Sequence, residues 1–463
     1  MLFYLQKLIT KNRYREVLRV CLPLVLSLSA TTIMEFTDRI FLANYSIDAI
    51  SAALPAGITS YLFLAFFGGI GGYVGVFIAQ YTGSGEHRKI GSILWQGIYF
   101  SIFSGIFIAL VALLATDQIF SLAGHPPEVQ ELEKIYFTVL SYGSVLHLSM
   151  VTLATFFSGR GITRPVMIIT FIGVIINIPL DYALIFGKWG MAEMGIKGAA
   201  LATVGAWAVN VILLLLLLFT RKNNQQFGVL SNFYFRPKLT ARLLRFGVPG
   251  SVQFTMDILA FTFFILLVGR IGKAELAATN IVLSINSLAF MPSMGASQGV
   301  SVLVGQALGS NSPAQASACV RGSSQLLLFY ILLVDLFFLF TPDLILAPFL
   351  QNYHGTGAEG EVLYHARVLL KIVAAYLFFD ALYMIFSGAL RGAGDTRFMM
   401  IAGCCLSPLL LILPVYLGVE FYHISITAAW CWVLVFVASL FTASALRYQS
   451  GRWKKMLVID HSK

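Results

Sequence analysis

Six acidic residues, Glu35, Asp38, Asp181, Asp257, Asp335 and Asp380, stand inside long apolar runs of a 463-residue chain. At a bilayer centre each would cost about 2.5–3.5 kcal/mol on an insertion scale, so six ionised carboxylates facing lipid would sum to about 15–20 kcal/mol. That exceeds the stability of a typical fold, so the acids must face protein or water. Carboxylates in such a setting can hold a cation or exchange protons.

Their neighbours sharpen the chemistry. Ser27, Thr31, Glu35 and Asp38 recur at spacings of four, four and three, which places them on one side of a helix. Asn177 and Asp181 form an i, i+4 pair, and Thr203 adds a hydroxyl on the following run. Carboxylate, amide and hydroxyl oxygens are the hard ligands that a small cation accepts, so Na+ at Asp38, Asn177, Asp181 and Thr203 is one reading and proton exchange the other. In the C-terminal half, Gln253 and Asp257 share a helix face, while Tyr376, Asp380, Tyr383 and Ser387 form a second stripe. Glu35, Gln253, Tyr376 and Tyr383 are candidates to line a substrate cavity. Asp335 and Glu35, which borders Arg39, read equally well as structural acids.

These residues must be positioned by membrane helices. The chain is 58% hydrophobic and 11% charged, with a mean hydropathy of +0.83, too apolar for a water-soluble domain. Apolar stretches long enough to cross a bilayer core of about 30 Å recur along the chain. Twelve are expected, over residues 17–43, 49–82, 90–115, 132–158, 165–187, 195–220, 241–270, 275–309, 314–341, 364–390, 397–418 and 423–447. Continuous runs such as Val211 to Phe219 lack the alternation of a barrel strand, so the fold class is all-α. Pro55, Pro179, Pro292, Pro408 and Pro414 fall within these spans and permit bends.

The net charge of +10 follows the topology. With the breaks assigned alternately to the two sides, 23 of the 31 Lys and Arg fall on the N-terminal side, seven on the opposite loops, and Arg39 within a helix. Both termini are therefore expected in the cytoplasm, in a plasma or inner membrane, and the basic excess reads as topological rather than as a nucleic-acid binding patch. Lys7, Lys11, Arg13 and Arg15 precede the first span without a small-residue cleavage pattern. The five cysteines (Cys21, Cys319, Cys404, Cys405 and Cys431) lack metal or redox spacing and read as small buried hydrophobes.

An internal repeat organises the spans. Residues 18–92 align without a gap on residues 244–318, with Pro23 on Pro249, Gly69 on Gly295 and Gln80 on Gln306. A second block pairs Gly159 to Arg164 with Gly392 to Arg397. Two pseudo-symmetric six-helix lobes follow, over residues 1–220 and 241–463, joined by a linker at 221–240. Gly68 to Gly75 carries overlapping GxxxG spacings for close helix packing, echoed more weakly by Gly295 and Gly299. The acids do not follow the repeat: Asp38 falls on Phe264, and Asp257 on Thr31.

Several of these landmarks, in order, resemble the multidrug and toxic compound extrusion (MATE) family, in its NorM-like branch. They are Pro23 with Asp38, the Asn177-Ile178-Pro179-Leu180-Asp181 run, Gly198 to Thr203, Gly305-Gln306 to Gly309, and Ser387 to Gly392. The resemblance implies that Asp38, Asn177, Asp181 and Thr203 match N-lobe cation-binding positions and that Asp257 and Asp380 match acidic C-lobe positions. It leaves Na+ and H+ both open, as well as which lobe binds the driving ion.

The implied function is cation-coupled antiport, exporting amphiphilic organic cations and drugs by alternating access, without a cofactor, from a monomer in the lipid bilayer. A flippase for lipid-linked precursors is the alternative, but it calls for a basic cavity where these interior charges are acidic. An intramembrane enzyme is disfavoured: His87, His125, His147, His354, His365, His423 and His461 are scattered, with no HExxH or Ser/His constellation. No nucleic-acid partner is expected.

Overall fold

The computed structural model describes residues 13–122, 124–349 and 358–460; Lys7, Lys11, His354 and His461 lie outside the described residues. All regular structure among the described residues is helical. The helices are α1 (Tyr14–Tyr45), α2 (Ile47–Gly72), α3 (Val74–Ser84), α4 (His87–Ser121), α5 (Pro127–Tyr142), α6 (Ser144–Ser158), α7 (Arg164–Phe186), α8 (Ile196–Leu218) and α9 (Arg221–Phe227). They continue as α10 (Pro237–Ile271), α11 (Lys273–Gly309), α12 (Pro313–Phe340), α13 (Pro342–Leu346), α14 (Ala358–Ala393), α15 (Thr396–Leu406), α16 (Leu413–Phe421) and α17 (Ile426–Gln449).

Local chemistry sets several boundaries. Ser46 caps α2 by accepting hydrogen bonds from the Asp48 and Ala49 amides, and Ser425 caps α17 through the Ala428 amide. Gly187, at a φ of 64°, ends α7 in the left-handed conformation that glycine adopts without steric cost. Pro237 opens α10 in its first turn, so this helix starts four residues earlier than the expected span at 241.

Among the described residues, and with α2 and α3 taken together as well as α15 and α16, eleven helices are long and apolar enough to cross a membrane, or twelve when α5 and α6 count as one span bent by 45°. This agrees with the twelve expected spans. The bend falls at Gly143, against which the Val204 side chain of α8 packs, a place with no room for a side chain. A second irregularity joins α15 to α16, where Ser407–Ile412 winds as a π-helix and the Leu413 amide reaches back five residues to the Pro408 carbonyl. Pro408 and Pro414 lack donors for the ordinary ladder, so the wider winding accommodates them. Outer faces present Phe103, Leu113, Leu114, Leu332 and Phe337 at 58–73% exposure, as suits a chain whose solvent is lipid. The cysteines are all free, but only Cys21 and Cys319 are buried, and Cys405 and Cys431 lie exposed, contrary to the expectation of a uniformly buried set.

The chain divides into two compact units. The first holds Leu26–Ser251, Gly309–Asn311 and the described residues from Val458; the second holds the described residues up to Val25, Val252–Leu308 and Ser312–Leu457. The divisions within α1 and α10 fall at Val25 and Ser251, which are equivalent in the repeat.

Within the first unit the start of α10 packs on α2: a Cβ on Gly69 would lie 2.5 Å from the Ser251 hydroxyl. Within the second unit the start of α1 packs on α11 in the equivalent way, with a Cβ on Gly295 falling 2.8 Å from the Val25 amide nitrogen. The glycine spacings therefore act as close-packing faces. The turns repeat as well: Gly161 and Gly394 have φ of 76° and 98°, and Gly85 and Asn311 have φ of 78° and 53°.

Candidate functional site

In the first unit, two apolar layers fix how α1, α7 and α8 meet. Ala30 and Met34 pack on Val174, while Leu42 packs in a cluster with Ile185 and Ala199. Asp38 lies one turn from both Met34 and Leu42; Asn177 and Asp181 lie between Val174 and Ile185; Thr203 lies one turn beyond Ala199. The layers thus bring all four side chains into one buried polar pocket, with Asn177 and Asp181 fully inaccessible and Asp38 only 5% exposed.

The Thr203 hydroxyl donates to Asp38 Oδ2 at 3.4 Å. The Asp38 and Asp181 carboxylates lie within interaction range of each other. Asn177 and Asp38 both lie against Asp181, yet Asp38 Oδ1, both Asp181 oxygens and both amide atoms of Asn177 make no hydrogen bond of good geometry among the described residues. Leaving one such buried atom unsatisfied costs about 1–3 kcal/mol, more when it is charged. Two carboxylates, an amide oxygen and a hydroxyl facing one another fit a small cation or protons, which would satisfy the lone pairs the protein leaves open. Among the described residues no three His, Cys, Asp or Glu side chains converge as they would on a transition metal.

Glu35 does not join this pocket; it is exposed on α1, within electrostatic range of Arg39 and Asp38. Tyr136 of α5 does approach, within range of Asp38, Asp181 and Glu35. Sequence reasoning missed Tyr136, because an isolated aromatic in an apolar run carries no signal beyond packing.

The second unit builds its own polar cluster. Gln253 and Asp257 project from α10 toward Tyr376, Asp380 and Tyr383 on α14. Gln253 Nε2 donates to the Tyr383 hydroxyl at 2.6 Å, and that hydroxyl lies 3.5 Å from Asp257 Oδ2. Asp380 is 5% exposed and within electrostatic range of Asp257. Gly403 of α15 leaves room beside them: a Cβ there would meet Gln253 Cγ at 3.3 Å and Asp257 Oδ1 at 3.9 Å. Asn286 of α11 reaches Tyr376. It was legible as an intramembrane amide and was overlooked. Asp257 Oδ1, Asp380 Oδ2 and Asn286 Oδ1 lack partners among the described residues. Asp335 stands apart on α12, half-buried, with Oδ1 likewise unmet. Ser387 is buried on α14, and one turn on, Arg391 donates to Ser297 Oγ at 3.1 Å. Of the histidines, His87, His147 and His365 lie in helices, and His147 packs edge-on against Trp207 with ring centroids 4.7 Å apart.

Known proteins share this fold. The MatE family profile matches residues 23–183 and 249–417, once in each half. A probable multidrug resistance protein NorM of Thermotoga maritima is 27% identical over 472 residues, covering 99% of this chain and 97% of its own. A transporter of the MOP superfamily from Pyrococcus furiosus superposes with a TM-score of 0.86 at 19% identity, covering 96% of this chain and 97% of its own. An outward-facing multidrug resistance MATE family transporter superposes with a TM-score of 0.85 at 19% identity, covering 96% of each chain. These likenesses, spanning both halves and the helices that carry the buried acids, establish that the chain is an integral membrane protein belonging to the MatE family, the multidrug and toxic compound extrusion transporters.

Proposed function

We propose that the protein is a cation-coupled antiporter that exports amphiphilic organic cations and drugs by alternating access. The first unit binds the inward-moving cation, Na+ or H+, at Asp38, Asn177, Asp181 and Thr203. Supporting this reading above all are the four oxygens of Asp38, Asn177 and Asp181 that lack a partner in a buried pocket. A cation entering there satisfies them and so favours whichever packing of the bundle closes around it. One charge crossing 100 mV releases about 2.3 kcal/mol, which the exit of a monovalent cationic drug consumes, so a one-for-one exchange of that kind draws on the concentration gradient of the ion, and the potential adds to it when the drug is neutral or a second ion enters.

Asp257 and Asp380, with Gln253, Tyr376 and Tyr383 around them, receive the cationic drug, since paired acids among aromatic rings attract an organic cation. Glu35, exposed on α1, adds an acid on the drug's path. The name of the Thermotoga relative accords with this substrate class. A second reading puts the driving ion on Asp257 and Asp380, whose unmet oxygens favour it. The protein works as a monomer in the inner membrane with both termini in the cytoplasm, in keeping with its charge asymmetry. The acidic interior sets it apart from a flippase for anionic lipid-linked precursors.

The test is efflux of a fluorescent cationic dye and of a fluoroquinolone from proteoliposomes under separately imposed Na+ and H+ gradients. Asp38→Asn and Asp181→Asn should abolish gradient-driven export. Asp257→Asn and Asp380→Asn should weaken drug affinity while leaving the response to the ion gradient intact, and the reverse pattern would select the second reading. Export that ignores both gradients and all four substitutions would rule out coupling at either site.

A further inference from the structure

The segment between the two halves is anchored at Phe227 and Val229, which are buried, and is exposed on either side of them. After α9 the chain turns at residues 229–231, the Asn232 amide donating to the Gly228 carbonyl, and residues 232–236 then follow α4, whose side chains hold their backbone. Trp95 Nε1 donates to the Val229 carbonyl at 2.6 Å, and the Tyr99 hydroxyl donates to the Phe233 carbonyl. Gln96 grips both ways, donating to the Tyr234 carbonyl at 3.0 Å and accepting from the Arg236 amide at 2.8 Å. A Cβ on Gly91 would fall 2.6 Å from the Phe227 carbonyl oxygen, so the chain could not lie this close against a larger residue.

With the backbone held on α4, the side chains turn outward. Phe233, Tyr234 and Phe235 are 49%, 62% and 60% exposed, and Leu230 is 52% exposed. Three consecutive exposed aromatics on a fixed backbone form a patch that water does not favour. The surroundings are cationic. Residues 221–245 carry Arg221, Lys222, Arg236, Lys238, Arg242 and Arg245, and no acidic residue occurs from 194 to 256. The nearby acids are engaged: Glu86 pairs with Lys89 at 2.8 Å, and Asp460 pairs with Arg242. Arg221, Lys222, Arg236 and Lys238 remain exposed.

Depth distinguishes the occupant. Helix α4 has 35 residues, about 52 Å of helix, well beyond a bilayer core of about 30 Å. With an overhang of about 22 Å shared between the two ends, the core would begin about 11 Å along, so Trp95 at about 12 Å stands at that boundary and Tyr99 at about 18 Å just inside it, and the segment they hold passes from the protruding end into the top of the core. Aromatic side chains favour that interface, and cations beside it meet lipid headgroups. An acidic soluble partner would match the charge but not the depth of the aromatic run.

We infer that the inter-half segment is an in-plane membrane anchor: Phe233, Tyr234 and Phe235 insert at the bilayer interface, and the exposed cations around them bind anionic lipid headgroups. The basic excess thus gains a binding role beyond setting topology.

Tyr234→Trp tests the insertion in liposomes of phosphatidylcholine with or without phosphatidylglycerol, its emission taken as the difference from the unsubstituted chain. Lipids brominated near the top of the acyl chain should quench the added emission, aqueous iodide should not, and phosphatidylglycerol should strengthen the quenching. Quenching by iodide and not by bromolipid in both membranes would overturn insertion. For the headgroups, Arg236→Gln with Lys238→Gln should lower phosphatidylglycerol retained on the purified protein, read by native mass spectrometry, by roughly fivefold per cation removed. Unchanged retention by a monodisperse variant would overturn headgroup binding.

Discussion

The hydroxyl of Thr203 donates to Asp38 Oδ2 across α8 and α1, while the Asp38 Oδ1 beside it has no partner among the described residues. One oxygen of the carboxylate is oriented and the other is left open, which is how a ligand for a transient ion should be held. Replacing Thr203 with Val keeps the shape and removes the donor and ligand oxygen. The half-saturating concentration of the coupling cation should rise roughly 5- to 150-fold, corresponding to about 1–3 kcal/mol, with dye export at saturating cation little changed. An unaltered cation dependence would mean that Thr203 only packs.

In the second unit the Tyr383 hydroxyl links Gln253 to Asp257. Tyr383→Phe deletes that link without changing the ring. Drug affinity should fall severalfold, by about 0.5–1.5 kcal/mol for one hydrogen bond, at an unchanged cation optimum. Equilibrium binding of a fluorescent cation to the purified protein measures this directly, and a shift in cation dependence instead would support the reading that places the driving ion here.

The equivalent glycines Gly69 and Gly295 should respond differently to alanine. At Gly69 the obstacle is the Ser251 side chain, with Oγ at 2.5 Å and Cβ at 3.2 Å; at Gly295 it includes the Val25 backbone, with Cα at 2.7 Å. Each substitution should lower stability by about 1–3 kcal/mol through overpacking. Adding Ser251→Gly should restore the thermal midpoint in detergent for Gly69→Ala, whereas Val25→Gly should leave much of the Gly295→Ala defect. Equal rescue would show that the backbone approach is soft.

The last described residues close the core of the first unit. The Val458 amide donates to Gln80 Oε1 at 2.8 Å, and Val458 and Ile459 are 1% and 5% exposed. Deleting the chain after Leu457 should cost about 3–6 kcal/mol from two buried side chains, observed as a lower thermal midpoint. Gln80→Ala should reproduce a smaller part of that loss.

The repeat was legible from residue identities because its turns demand particular backbones. Gly161 and Gly394 both adopt positive φ, as do Gly85 and Asn311, so an offset found in letters reappears as conformation. The spans were legible because about 20 apolar residues must cross a bilayer, and the buried acids because nothing else explains carboxylates there. The bend at Gly143 was not legible, since one apolar run covers both arms and the bend arises where Val204 packs.

The sequence by itself determined that two duplicated sets of membrane helices carry unmatched acids, and it selected Asp38, Asn177, Asp181, Thr203, Asp257 and Asp380. Hydropathy and side-chain type act locally, so they survive in a linear reading. Only the tertiary structure decided which side chains meet. It placed Tyr136 beside the first pocket and Asn286 beside the second, left Glu35 outside, and joined the first half of α10 to α2 and that of α1 to α11. Many helices here offer small-residue faces, and which two faces pair depends on the packing of the whole unit, which no single helix encodes.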